Sequence, residues 1–175
     1  MKMFRWLLLP LVLVVLTVAG CASEAGDKTP PAPVTVQQKV VVYRIPVSGE
    51  EMLVPEQQQV TVAAKADLPL AALQCLVNTK PRDSKLENLF PAGTKVLGLQ
   101  IKDGLASANF SKDLQRRGQG SYEELMFVNA IVNTLTEFPE IKQVQILVEG
   151  QKVITLSGHL DVGDPLTRNQ TLIKK

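Results

Sequence analysis

The chain has 175 residues, 45% of them hydrophobic and 21% charged, which is a globular composition with length for one domain plus accessory segments. Its formal charge of +2 includes Lys2 and Arg5; without residues 1–20 the 19 basic side chains fall to 17, against 17 acidic ones. A neutral chain with 5% aromatic residues lacks the basic stripe and stacking platforms that phosphates and bases require, so no nucleic-acid partner is expected.

The chain opens on a signal. Lys2 and Arg5 form a positive region, residues 6–19 are almost wholly apolar, and Val18-Ala19-Gly20-Cys21 closes the segment with small residues before a cysteine. This is a lipobox. Residues 1–20 read as a cleaved lipoprotein signal peptide and Cys21 as the lipidation site, its thiol bearing diacylglycerol with palmitate-type chains. A short transmembrane anchor is the competing reading, but the apolar run falls below the about 20 residues that a spanning helix needs. Two acyl chains hold a protein stably where one binds only marginally. The membrane is therefore the expected first partner, and the extracytoplasmic face of the cell membrane the expected location. Residues 21–37 carry the lipidated cysteine and a flexible tether stiffened by Pro30, Pro31 and Pro33.

The folded domain is expected over residues 38–170, with 171–175 as a tail. Residues 39–45, KVVVYRI, predict a strand, and 51–54 with 59–64 predict extended segments on either side of Pro55. Asp67, Leu68 and Pro69 mark a helix start, and the spacing of Leu70, Leu73, Leu76 and Val77 carries that helix to about Asn78. Cys75 lies on it. With Cys21 lipidated, Cys75 has no partner within the chain and reads as a buried, inert thiol. Strands at 95–101 and 105–110 meet at Asp103-Gly104, a strong hairpin signal. Ser121 with Glu124 predicts a capping box at the start of a second helix, whose apolar stripe is Leu125, Val128, Ile131, Val132 and Leu135, closed by Pro139. Residues 143–149 and 151–157 predict a second hairpin around Glu149-Gly150. The fold class is α+β, a largely antiparallel sheet with two helices on one face.

Three sequence runs carry a resemblance: FPAGTKVLGLQIKDGLASANFSKDL, GSYEELMFVNAIVNTLTEFPEIKQVQILVEGQ and SGHLDVGDPLTR. Together they resemble the GerMN domain of bacterial sporulation and germination lipoproteins, over roughly residues 38–170. The most specific pieces are Phe90 to Thr94, Asn109-Phe110-Ser111, Asn133-Thr134-Leu135, Val144 to Gly150, and Gly158-His159. The resemblance implies a fold similar to ring-building-motif domains and an extracytoplasmic, non-catalytic role with an envelope protein as partner. In spore formers the family supports an envelope-spanning complex and carries the domain in tandem, whereas this chain holds one copy.

Catalytic and metal chemistry rank low. Ser157, His159 and Asp161 alternate along a predicted strand and would share a face, but strand neighbours two apart are separated by about 6–7 Å, too far for a hydrogen-bonded series. No catalytic residue is assigned and no enzyme is expected. One histidine and one unlipidated cysteine cannot supply a zinc set, and Asp161 and Asp164 fall in no calcium-loop pattern, so neither a metal nor a cofactor is expected. Gly118 and Gly120 lack a phosphate-loop lysine, and Arg116-Arg117 read as a solvated face. The favoured function is a protein-interaction module; the alternative is a binding domain for a cell-wall fragment or small ligand.

Overall fold

The computed structural model describes residues 35–115 and 120–174. The signal segment, Cys21, most of the tether and Arg116 to Gln119 lie outside them. Strand β1 (Val36–Pro46) is the centre of a three-stranded sheet, flanked by β2 (Val54–Val62) and by β3 (Leu86–Glu87), both antiparallel to it. Its β-branched run suits a pleated surface, and from Val42 to Pro46 every residue is buried. Pro55 does not interrupt β2, contrary to the expectation of two separate segments. It stands opposite Tyr43 on an edge strand, where a residue without an N–H is tolerated.

Helix α1 (Leu68–Asn78) starts and ends where the sequence places it, with proline in its first turn, and packs on β1 and β2. Cys75 on this helix is buried and free. The second sheet has the order β4 (Val96–Lys102), β5 (Leu105–Phe110), β6 (Gln143–Val148), β7 (Gln151–Lys152), with β8 (Leu166–Thr167) also pairing β6. Asp103 and Gly104 both take positive φ, 50° and 82°, and so do Glu149 and Gly150, 49° and 78°. Positive φ at both central residues is the geometry of the type I′ turn, whose twist matches that of the flanking strands.

The α+β class is as expected, with the sheet divided in two and one parallel pair within it. Strands β5 and β6 run parallel from Leu105 opposite Gln143 to Phe110 opposite Val148. Parallel neighbours need a long crossover, and helix α2 (Ser121–Leu135) supplies it. The expected stripe on α2 broadens into full enclosure, because Met126 to Leu135 are all buried and the helix contacts β1, α1 and β6. Buried polar groups on α2 are therefore matched. Thr134 Oγ1 accepts from the Tyr43 amide at 3.1 Å, and Asn133 pairs with both the N–H and the carbonyl of Asn169 at 2.9 Å.

Two expectations fail on α2 and β7, for one reason. The N-cap of α2 is Gly120, Ser121 is already helical, and no side chain caps the helix start. Glu124 instead turns inward and takes the amides of Leu156, Ser157 and His159. A carboxylate holding those amides denies 156 and 157 to a strand, and β7, expected to run to 157, ends at Lys152.

Each helix C-terminus is closed by an arginine. Arg44, fully buried, donates to the Leu76 carbonyl at 2.8 Å, to Thr79 Oγ1 at 2.7 Å and to Glu56 at 3.0 Å. Arg168 donates to the Asn133 carbonyl and Thr136 Oγ1, and pairs with Glu137 beside the Tyr43 hydroxyl. Cations at these ends satisfy orphan carbonyls and complement the helix dipole.

Candidate functional site

Strands β5 and β6 end together, and the loops that leave them meet at one end of the second sheet. In open α/β sheets the carboxyl ends of parallel strands are where loops on a rigid scaffold present function. Side chains tie these loops to one another's backbones. Asn109 Oδ1 accepts from the Gly150 amide at 2.7 Å, Glu149 accepts from the Lys112 amide at 2.9 Å, and Ser111 Oγ accepts from the Lys95 amide at 3.0 Å. Ser111 also donates to Asp113, and the Thr94 hydroxyl donates to the Pro91 carbonyl at 2.7 Å within a turn whose Gly93 has φ of 90°. The motifs at 90–94, 109–111 and 144–150 are therefore one constellation.

The loop 153–162 stands beside them. Val162 closes it by donating to the Ile154 carbonyl at 2.7 Å, and the Glu124 carboxylate fixes its interior through three amides, each at 2.8 Å. Glu124 is 0% exposed, and among the described residues no cation pairs with it. Three N–H dipoles aimed at one anion replace its hydration, which is what a buried charge requires. The outermost large apolar side chain of the loop is Ile154, 75% exposed. Between the loop and Gln115, whose amide donates to the Thr155 carbonyl at 3.1 Å, lies an open hollow of about 410 Å³ lined by Thr155 to Gly158.

Ser157, His159 and Asp161 do not share a strand. They lie in the bends of this loop, which turns at Gly158 with φ of 100°, so the same-face alternation dissolves. Two of the three give their amides to Glu124, and Asp161 Oδ1 accepts from the Gly163 amide at 2.8 Å. Cys21 and Arg116-Arg117 fall outside the described residues. Sequence reasoning assigned Glu124 to a cap, although its spacing with Val128, Ile131 and Leu135 puts a carboxylate in line with the buried stripe, the signal of an interior role.

The Germane family, described as sporulation and spore germination, matches residues 37–154. The chain belongs to this family. As a Germane domain it is similar to solved structures that bear its fold. A Clostridium perfringens protein classed provisionally as a lipoprotein is 26% identical, with a TM-score of 0.54 over 76% of this chain and 87% of that one. The first GerMN domain of the sporulation protein GerM from Bacillus subtilis is 24% identical, with a TM-score of 0.60 over 75% of this chain and 98% of that one. The tandem GerMN domains of the same protein give 23% identity and a TM-score of 0.64 over 79% of this chain, which spans 48% of the tandem. No curated protein matches the chain. The family range ends at Ile154, yet in this Germane domain the fold continues. Arg168 and Asn169 close α2, and Ile173 bridges Leu53 in parallel.

Proposed function

We propose that this Germane domain is a protein-binding module of an envelope complex associated with sporulation or germination, carried outside the membrane by lipid on Cys21. The observation that carries the reading is the loop 153–162. A buried carboxylate fixes its backbone while Ile154 is left 75% exposed at its surface. Freezing a loop before contact lowers the entropy lost on binding, and a rigid apolar side chain with a polar surround is the usual composition of an interface anchor. The lipobox at Cys21 and the similarity to a provisional lipoprotein support the anchored location.

The test is a photo-crosslinking residue at Ile154 of the full chain in native cells, with Thr61 on the far sheet as control. The reading expects one discrete envelope-protein adduct from position 154, weakened by Glu124→Gln. Equal adducts from both positions would overturn it, as would turnover of wall fragments or esters that disappears in a folded Ser157→Ala protein. The alternative, binding of a cell-wall fragment, draws on the hollow between Gln115 and Gly158, whose size falls in the range of small-ligand sites. Titration calorimetry with soluble wall fragments separates the two readings: saturable heat abolished by Gln115→Ala favours the ligand.

A further inference from the structure

Small-ligand sites are concave, mainly apolar, and carry a few polar groups that fix the orientation of what they hold. A hollow of about 310 Å³ with that make-up lies where the turn between β1 and β2 meets the start of β3 and the C-terminal segment. It shares no lining residue with the hollow beside Gln115. Pro46, Val47, Val54 and Leu86 supply its apolar lining, and Val47 is left 55% exposed. Glu50, Asp83, Lys85 and Lys174 supply two charges of each sign, all on exposed residues. The two ion pairs among the described residues, Arg44 with Glu56 and Arg168 with Glu137, involve none of these four.

The backbone that carries these charges is pinned in advance. The Val47 amide donates to the Lys85 carbonyl at 2.9 Å, the Lys85 amide donates to Asp83 Oδ1 at 2.9 Å, and Leu86 pairs with Pro46 between β3 and β1. The Glu50 carbonyl accepts from the Met52 amide at 2.8 Å and from the Tyr122 hydroxyl at 3.2 Å, and the Lys174 amide donates to the Leu53 carbonyl at 2.9 Å. Preformed walls lower the ordering cost of binding. Beside Glu50 the field is negative: burial first, then the carboxylates of Glu87, Glu123, Glu51 and Glu50, push the Tyr122 phenol up. We infer that this hollow binds a small zwitterion with an apolar side chain, as a free amino acid or a dipeptide presents. Its ammonium faces Glu50 and Asp83, its carboxylate faces Lys85 and Lys174, and its side chain covers Val47. The volume lies at the lower end of small-ligand sites, which suits an amino acid better than a saccharide chain. A ligand with one charge answers only one of the two pairs, and complementarity of that kind sets specificity.

The experiment is titration calorimetry on the detergent-solubilised full chain with leucine and with leucyl-leucine. Leucinamide and isocaproate, which each keep one charge of leucine, and glycine, which lacks its side chain, are the comparison ligands. Saturable heat is expected from the zwitterions, and the tighter of leucine and leucyl-leucine names the source as a free amino acid or a dipeptide. Each comparison ligand should bind about tenfold more weakly, since a hydrogen bond to a charged group is lost or the apolar lining stays wet. Glu50→Gln and Lys85→Gln should each weaken the zwitterion by about the same factor, and Val47→Ser should weaken it too. Thermal melting confirms that the variants fold. Absence of saturable heat from both zwitterions would overturn the inference. Singly charged analogues that bind as tightly as leucine would do the same, as would unchanged affinity in the folded Glu50→Gln and Lys85→Gln proteins.

Discussion

At the residue scale, Glu124, expected in a helix capping box, instead holds a distant loop. Its two oxygens accept three backbone amides of the 156–159 segment, so the carboxylate is a structural component of a loop 32 to 35 residues away in sequence. Glu124→Gln replaces one acceptor oxygen by an NH₂ that faces an N–H donor. Leaving a buried donor unsatisfied costs about 1–3 kcal/mol. The expected result is a loss of that size in denaturant unfolding, together with faster amide exchange at Leu156, Ser157 and His159. Unchanged exchange would remove Glu124 from this role. Cys75 offers the contrast: it is buried, with its sulfur 3.6 Å from Thr79 Oγ1, and its burial was legible from the apolar residues around it. Cys75→Ala should cost about 1 kcal/mol or somewhat more through lost packing. A larger loss in denaturant midpoint would mean that the thiol bears more than a methyl group's share of the core.

The arginine closures govern behaviour at the scale of elements. Glu56 joins β2 to the end of α1 by accepting from Arg44, from the Gln58 amide and from the Arg82 backbone. Burial pushes its carboxyl up, but the Arg82 amide, the Gln58 amide and the Arg44 guanidinium outweigh burial and hold it below its ordinary value of 4.5. A native value below the unfolded one means that the unfolded chain binds the proton more readily. The resulting stability is present above 4.5 and is lost as pH falls through the depressed native value. Glu56→Gln should therefore flatten that part of the pH-stability curve, measured as denaturant midpoint against pH. An equally steep acid loss in the variant would assign the effect to other carboxylates. At the end of α2, burial and the Glu137 carboxylate raise the Tyr43 phenol, while Arg168 opposes them. The bounds of α1 were legible, because a proline start, apolar spacing and a terminal break are local signals, whereas α2 ends at Leu135, short of the Pro139 expected to close it. The arginines that close them come from β1 and from the C-terminal segment, and no local pattern announces that.

For the whole molecule the proposed anchor comes first. Cys21→Ser should abolish lipidation and leave an unprocessed precursor, since the lipoprotein signal peptidase acts after the thiol is modified; mass spectrometry of the mature N-terminus decides it. An unmodified Cys21 on membrane-bound wild type would refute the anchor. The sequence by itself determined both helices, the turns at Asp103-Gly104 and Glu149-Gly150 and the α+β class. Each of these rests on residues close in sequence: 3.6-residue periodicity, and Asp-Gly or Glu-Gly pairs that tolerate positive φ. Only the tertiary structure decided the parallel pairing of β5 with β6, the enclosure of α2, and the fate of residues 153–162. Strand direction depends on where a crossover helix returns the chain, and an alternating segment such as 151–157 remains a strand only while its amides are unclaimed. Glu124 claims two of them, with that of His159 just beyond, from another element at a separation that no sequence window spans.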